Sequence, residues 1–362
     1  MSDRTVVVLG VGGPQVDALE RLRRQGRRVV ACGWRREGPG LALCDRFEQV
    51  DVKHADEVAA LVRRVGAADV VAVGSDLAQA TAIEVAHALG LPTFVGLASL
   101  PFVRDKHAVR AALAGTEAEV AALRATDRGD LAAWRRFPAA IKPVDGQGQR
   151  GVARCADRAE LEARLPAALA ASGRGAALVE DWLEGPELSL HLWREGGRTT
   201  FTWAGDRLAV PGSAGGTPLR HEYPSRVAPA ALAALRRKAD LACARLGYDE
   251  GPVYVQARVT AEGPGIVELA PRLDGCHLWR LILARRPAST CWRACPHGAC
   301  RCRAPEAAPG RRSPRRRAFG FFHAAPGGRF ERASWRAHAA RGRVPLLPRG
   351  RSARACSSRG CR

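Results

Sequence analysis

Long apolar runs are missing from this chain of 362 residues. No stretch reaches 18 consecutive apolar residues, so the sequence predicts no membrane-spanning helix. The opening segment, MSDRTVVVLGVGG, lacks a basic region followed by a long apolar core, so we expect no secretory signal peptide. Hydrophobic residues make up 46% of the chain, which is enough for a packed core. We therefore expect a globular, cytoplasmic protein of two or three domains, without a membrane partner.

Acidic residues are almost absent from the last part of the chain. Residues 288–362 hold 18 arginines but only two acids, and so carry +16 of the net charge of +21. Their composition predicts a disordered low-complexity tail, or an out-of-frame continuation of a helix predicted over 278–285. Two other interpretations stay open, a zinc site formed by the cysteines and histidine of 291–302 and a nucleic-acid-binding tail. We favour neither, and nucleic acid is the less expected partner.

Lysine is also scarce, with four residues against 53 arginines. A lysine in this background indicates a position where a compact ammonium on a flexible stem is needed. Lys142 lies on a strand-like run, Ala139–Pro143, that comes just before a glycine-rich loop, DGQGQRG (Asp145–Gly151). Backbone amides of such a loop can cover phosphates while the lysine neutralises them. Lys106, in RDKHAVR, is the second candidate, whereas Lys53 and Lys238 have the character of surface positions.

Strand-like and helix-like segments alternate over residues 1–100, which predicts a Rossmann-like lobe with a parallel sheet. Residues 92–95 are included as its last strand. A glycine turn, Gly10-Val-Gly12-Gly13, follows the first strand, but Gln15 stands where a dinucleotide fingerprint has its third glycine. The second strand is not followed by an acid for a ribose. NAD binding is therefore not favoured.

Residues 101–287 show hairpins separated from long helices, which predicts a second domain of the α+β class. Its first part, 101–137, is expected to be a helical linker region. A strong helix is predicted over Pro229–Leu246, because proline occupies its first turn and a glycine follows its end. Two further strand-like runs follow this helix, and a tight AEGPG turn joins them.

The two runs after this helix carry Gln256 and Glu268, and Arg272 follows directly. Pairing of neighbouring strands places such side chains about 5 Å apart, so an amide oxygen and a carboxylate face one point. Oxygen ligands suit Mg²⁺, which completes its shell with water and phosphates. Arginine is a planar donor that suits a phosphoryl group. The pattern predicts a site for a nucleotide phosphate and Mg²⁺.

The order of these features resembles the ATP-grasp proteins over about residues 5–285. IKPVDGQGQRGV resembles the phosphate loop of that family, and LVEDWLEGPE resembles its adenine-binding hinge. ELAPR resembles the family's closing pattern, a metal-binding Glu followed by Asn-Pro-Arg. Ala270 stands where that Asn is usual. Gln256 stands where many members have Glu, although carbamoyl-phosphate synthetase-like members use Gln there.

The resemblance implies a fold of α/β and α+β character, with a Rossmann-like N-terminal lobe followed by an ATP-grasp domain and a disordered C-terminal tail. It also implies that Arg272 is catalytic and that Gln256 and Glu268 hold Mg²⁺. Within the hinge, it implies that Glu180 and the Leu183 amide hold adenine and that Glu187 binds the ribose. The complete set of implied ATP contacts is Lys106, Lys142, Gly146, Gly148, Gly151, Glu180, Leu183 and Glu187.

The activity implied by the resemblance is that of a ligase with two small-molecule substrates, a carboxylate and an amine or similar nucleophile. ATP would activate the carboxylate as an acylphosphate, and the nucleophile would then displace phosphate. A second interpretation is an inactive ATP-binding remnant, because Ala270 and the unusual C-terminal segment affect the region of the metal site. The sequence does not define the two substrates or an oligomeric state.

Overall fold

A computed structural model describes residues 5–210, 218–276, 278–279 and 317–320. They belong to one compact unit of the chain, Met1–Phe321. The cysteines and histidine considered for zinc, and most of the arginine-rich tail, lie outside the described residues. Within the described part, no helix is long and apolar enough to cross a membrane.

The N-terminal lobe is a four-stranded parallel sheet with helices on both faces, as the alternation of strands and helices predicts. The strand order is β3-β2-β1-β4. Alternate residues of β1 pack in opposite directions, Val6 and Val8 on α1, and Val7 and Leu9 on α2 and α3. The elements are β1 (Thr5–Leu9), α1 (Val16–Arg24), β2 (Arg28–Gly33), β3 (Arg46–Gln49), α2 (Ala55–Val65), β4 (Asp69–Ala72) and α3 (Asp76–Leu89).

The predicted strand at 92–95 is wrong, since this segment is irregular and joins no sheet. Val95 is nevertheless buried, against Ala80 and Ile83 of α3 and Leu100 beyond. The apolar run therefore serves packing between helices. Strand β3 was not predicted, because its sequence RFEQ has no apolar run. It lies at the edge of the sheet, where two of its four residues are exposed and two are half-buried.

Asp69 begins β4 at a buried position, and its stability contribution should depend on pH. Burial raises the pKa of this carboxyl from 3.8 to about 7, against smaller opposing effects of the Val70 amide and Arg27. The folded protein therefore holds this proton more tightly than the unfolded chain does, and stability falls as pH rises from about 4 to 7. We expect Asp69→Asn to raise the melting temperature at pH 8 and to change it little at pH 4. Thermal unfolding across this range checks it, with the exposed Asp56→Asn as control; equal shifts at both pH values would contradict it.

The second sheet has four antiparallel strands in the order β5-β8-β6-β7, and its hairpin β6–β7 carries the glycine-rich loop. Helix α6 covers it through Leu161, Leu165 and Ala168. The side chain of Asp157 caps this helix by accepting from the Glu160 amide at 2.9 Å. The elements are β5 (Ala122–Ala125), β6 (Ala139–Pro143), β7 (Ala153–Cys155), α6 (Arg158–Ala170) and β8 (Ala177–Asp181).

Residues 101–137, predicted to be a helical linker, are only partly helical. They contribute most of α4 (Leu100–Arg104) and all of α5 (Lys106–Leu113), and then strand β5 of the second sheet. The short strand ALRA contains one arginine and no β-branched residue, so its own sequence gives little strand signal. Its pairing with β8 makes it a strand.

The third sheet is the largest, with six antiparallel strands in the order β13-β12-β9-β10-β11-β14. Its first two strands are the runs predicted on either side of the AEGPG turn. Helix α7, between β11 and β12, begins and ends where the sequence predicts, and Gly247 after it has a φ of +69°. The elements are β9 (Glu187–Glu195), β10 (Arg198–Ala209), β11 (Pro218–Tyr223), α7 (Pro229–Leu246), β12 (Gly251–Thr260), β13 (Gly263–Ala270) and β14 (Arg317–Gly320).

Strand β14 lies in the segment for which the sequence predicts no regular structure. It pairs antiparallel with β11 at the edge of the third sheet. Nothing in the composition of RAFG identifies it as a strand, and the pairing with an available edge decides its conformation. The predictions for the rest of the tail concern residues outside the described part.

The two faces of the third sheet differ in chemistry. Leu188, Leu190 and Leu192 of β9 point to one face, where they pack with α5 and α7. Glu187, Ser189 and His191 alternate with them and point to the other face, yet all three are buried. A buried polar face of a sheet needs partners for its groups. The polar face of the third sheet is therefore a candidate location for a ligand-binding site.

Candidate functional site

Gln256 and Glu268 are direct partners in the antiparallel ladder of β12 and β13, so the predicted pairing is confirmed. Their side chains have different partners. The Gln256 amide donates to Glu187 Oε1 at 2.5 Å, and Glu268 Oε1 lies 3.2 Å from the Nζ of Lys106. The Glu268 side chain is 30% exposed, so one carboxylate remains accessible beside an amide.

This pair has the donor chemistry for Mg²⁺ but does not form a complete cage. The described residues contain no group of three or more His, Cys, Asp or Glu side chains that could hold a metal ion. Ala270, at the end of β13, offers no side-chain oxygen. Mg²⁺ commonly binds through one or two protein oxygens and takes its remaining ligands from water and phosphates. The arrangement fits a metal that arrives with a polyphosphate.

The glycine-rich loop between β6 and β7 has a backbone that requires glycine. Gly148 and Gly151 have φ angles of +69° and +70°, and a Cβ on Gly146 would lie 2.5 Å from Pro143 Cγ. Lys106 Nζ donates to the Gly146 carbonyl at 2.8 Å. This bond connects the start of α5 to the loop, so the two predicted phosphate-binding features are neighbours.

Lys142 is buried and lies between two acceptors. Its Nζ is 2.7 Å from Glu180 Oε1 and donates to the Val267 carbonyl at 3.3 Å. Burial lowers the pKa of Lys142 below the ordinary value of 10.5, and the nearby Glu180 offsets this only in part. Burial also opposes the charge on Glu180, but Arg110 and Lys142 outweigh it and hold the pKa of Glu180 below its usual range. Lys142 and Glu180 therefore form a buried ion pair in the protein before any ligand binds.

Arg272 reaches back to the N-terminal lobe. Its Nε donates to Asp76 Oδ1 at 2.5 Å, across 196 positions of sequence. Asp76 is the first residue of α3, whose N-cap is Ser75. Burial opposes the negative charge of Asp76, but Arg272 and then Lys106 overcome this and lower its pKa. Arg272 is thus held in a fixed orientation by the lobe.

The hinge segment after β8 is tied to β12. Glu187 is buried; Arg207 and Gln256 contact its Oε1, and Arg258 donates to its Oε2 at 3.2 Å. Arg258 also donates to the Leu183 carbonyl at 3.1 Å. These contacts fix the hinge residues, and their roles toward adenine and ribose stay predictions.

Sequence reasoning missed three arginines and one acid at this site, namely Arg110, Arg207, Arg258 and Asp76. Only two left a usable signal. Arg110 follows Lys106 by four positions on α5, which places both on one helix face. Asp76 begins a helix after a short parallel strand, where the carboxyl end of a sheet meets its ligands.

The fold is similar to that of several solved structures, although sequence comparison finds no matching family model and no matching curated protein. The L-amino acid ligase of Bacillus licheniformis is 17% identical, with a TM-score of 0.65 over 79% of this chain and 71% of that one. The phosphoribosylglycinamide synthetase of Anaerococcus prevotii is also 17% identical, with a TM-score of 0.62 over 78% and 71%. The biotin carboxylase domain of the Hydrogenobacter thermophilus 2-oxoglutarate carboxylase, determined with MgADP, ADP and bicarbonate, is 18% identical, with a TM-score of 0.63 over 76% and 65%. At such identities the comparison establishes the shared fold.

Proposed function

Because the chain has the ATP-grasp fold, we propose that it is an ATP-dependent ligase. In this proposal it activates a small-molecule carboxylate as an acylphosphate, which an amine or similar nucleophile then attacks. Two proteins of similar structure are an L-amino acid ligase and a phosphoribosylglycinamide synthetase, and both names describe ligation by those proteins. They support the general reaction class and leave the substrates of this chain open.

The observation that carries the proposal is one pocket lined by Asp76, Lys106, Lys142 and Glu268. These residues come from α3, α5, β6 and β13, far apart in the sequence. Two ammonium groups close to one partly exposed carboxylate make a site that suits a polyphosphate accompanied by a divalent cation.

In this proposal, Lys106, Lys142 and the amides around Gly146, Gly148 and Gly151 bind the phosphates of ATP. Glu180 and the Leu183 amide hold the adenine, and Glu187 holds the ribose. The buried contacts of Glu187 hold its side chain in place before the ligand arrives, whereas Lys142 would exchange its contact with Glu180 for a phosphate.

Glu268 and Gln256 would hold Mg²⁺, which would neutralise phosphate charge when bound. Arg272 would donate to the phosphoryl group as it is transferred, in the orientation that its bond to Asp76 gives it. Catalysis then consists mainly of positioning and of charge that is already in place.

A second candidate is an ATP-binding protein without ligase turnover. Ala270 favours it, since this residue lies buried opposite Tyr254 where the resemblance implies a metal-binding Asn. The nucleic-acid interpretation concerns the tail outside the described residues and gains no support from the site.

Replacing Ala270 by Asn should strengthen the dependence on Mg²⁺ if position 270 is a lost ligand. The added amide oxygen gives the metal a further protein ligand, so we expect half-saturation at a roughly threefold lower Mg²⁺ concentration. Titration of ATP binding with Mg²⁺ measures this, and Ala270→Leu serves as the control, because leucine is close to asparagine in size and has no ligand oxygen. An unchanged titration would mean that position 270 has no role in metal binding.

The proposed function is tested in two stages with the full chain. Calorimetry with ATP and Mg²⁺ tests binding, and ADP release in the presence of amino-acid carboxylates and amines tests turnover. Release of ADP that needs both a carboxylate and an amine is the expected result. Binding without release under any substrate pair supports the second candidate, and no binding rejects both.

A further inference from the structure

Arg110 is buried and has no role in the proposed function, but it contacts Glu180, to which that function assigns the adenine. Its Nε donates to Glu180 Oε2 at 2.8 Å, while Lys142 occupies the other oxygen, Oε1, at 2.7 Å. A second nitrogen of Arg110 donates to the Val267 carbonyl at 2.9 Å. The side chains of Arg110 and Glu180 are 4% and 5% exposed. One buried carboxylate therefore has two cationic partners.

The Val267 carbonyl can take part because of an irregularity in the sheet. Glu268 pairs with Gln256 and Ile266 pairs with Ala257, so Val267 lies at a bulge without a partner in the ladder. Its carbonyl accepts from Arg110 and, at 3.3 Å, from Lys142. Two nitrogens of the planar Arg110 guanidinium are thus held by different acceptors, Glu180 and the Val267 carbonyl. Lys142 has a single ammonium group at the end of a flexible side chain.

Arg110 and Lys142 both line the pocket, but they differ in their position relative to the glycine-rich loop. Lys142 starts beside the glycine-rich loop and is the predicted phosphate ligand, so a bound polyphosphate would compete with Glu180 for its ammonium. If Glu180 had no other cationic partner, movement of Lys142 to the phosphates would leave a buried carboxylate unpaired, which is strongly unfavourable. Arg110 removes this penalty.

We propose that Arg110 is a positioning residue, the counter-ion that remains with Glu180 when Lys142 turns to the phosphates of the nucleotide. The inference rests on the proposed nucleotide site and adds a residue that acts through another. Glu268 and Lys106 also face this region, through their own ion pair at 3.2 Å, and they balance each other. Once Arg110 is paired with Glu180 and Lys106 with Glu268, the positive charge of Lys142 is available to bind a polyphosphate.

The test is a double-mutant cycle on ATP affinity, measured by calorimetry with Mg²⁺. Arg110→Met should weaken ATP binding about tenfold, because Lys142 then stays with Glu180. In the Glu180→Gln background no buried carboxylate needs a counter-ion, so adding Arg110→Met should change affinity by less than about twofold. Arg110→Lys, which keeps the charge, should recover most of the wild-type affinity.

The control is Arg136→Met. Arg136 pairs with Asp181, the residue next to Glu180, with Nε to Oδ1 at 2.6 Å, but its side chain is 64% exposed. It should leave ATP affinity unchanged. Melting temperatures are recorded for every variant, because a purely structural role of Arg110 would lower them without changing affinity.

Two results overturn the inference. Wild-type affinity in Arg110→Met would mean that Glu180 does not restrain Lys142, and an equal loss with and without Glu180→Gln would mean that Arg110 contacts the nucleotide itself. If Arg110→Met does not fold, the comparison of Glu180→Gln with the double variant decides, with a tenfold loss counting against the inference. Failure of wild type to bind ATP would instead reject the proposed function.

Discussion

Lys142→Ala should weaken ATP binding tenfold or more while the fold remains intact. A hydrogen bond to a charged group contributes about 1.5–3 kcal/mol, and each ~1.4 kcal/mol is a factor of ten in affinity. Stability should be preserved because Arg110 still compensates Glu180 after Lys142 is removed. Calorimetry with Mg²⁺ and ATP measures the affinity, and circular dichroism checks the fold.

Lys53→Ala is the matched control, since Lys53 is an exposed lysine of the N-terminal lobe. A second check is pH. Burial lowers the pKa of Lys142, so its ammonium loses its proton at a lower pH than an ordinary lysine does. As pH rises, the ATP affinity of the wild type should therefore fall earlier than an ordinary lysine would cause. Lys142→Ala should lose this pH dependence. Equal affinity of Lys142→Ala and wild type would reject the phosphate site.

Glu268→Gln should reduce turnover far more than it raises the Michaelis constant for ATP. The carboxylate is placed to act on charge that develops during phosphoryl transfer, so its loss is expected mainly in kcat, by roughly a hundredfold. Arg272→Gln should show the same split, because its partner Asp76 already fixes it before ligand binds. Steady-state kinetics of ADP release gives both constants.

Glu262→Gln provides the control for charge on this hairpin. Glu262 lies exposed in the turn between β12 and β13, six positions before Glu268, and should leave both constants unchanged. Parental turnover in Glu268→Gln would mean that the metal is held elsewhere. A large rise in the Michaelis constant of Glu268→Gln with unchanged turnover would mean that Glu268 contributes to ATP binding and not to the transition state.

Periodicity and local chemistry were sufficient for the elements that have strong internal signals. Helix α7 begins at Pro229 and ends at Leu246 as predicted, and the two strands joined by the tight turn pair as predicted. The glycine-rich loop was recognised for the same reason, since its glycines mark a tight turn, and Gly148 and Gly151 do adopt positive φ angles that favour glycine. The bulge at Val267, which the sequence did not indicate, brings Gln256 opposite Glu268.

Weakly patterned strands could not be recognised in this way. The sequence of β10, RTTFTWAGDRLA, contains polar residues on both faces, and it becomes a strand because β9 and β11 pair with it. The opposite error occurred at 92–95, where Val95 is buried and Phe94 is half-buried against α3 and α4 without joining a sheet. Burial and strand pairing are separate demands, and a short apolar run does not distinguish them.

The sequence by itself determined the parallel N-terminal lobe, the glycine-rich hairpin, the strand pair carrying Gln256 and Glu268, and the lysines that stand out against the arginines. Only the tertiary structure decided which charges meet. Asp76 and Arg272 are 196 positions apart, and Arg110 and Glu180 are 70 apart. Such contacts depend on how sheets and helices pack against one another, and no local spacing encodes that packing. The partners of the candidate site were therefore beyond the reach of the sequence, although most of its residue types were not.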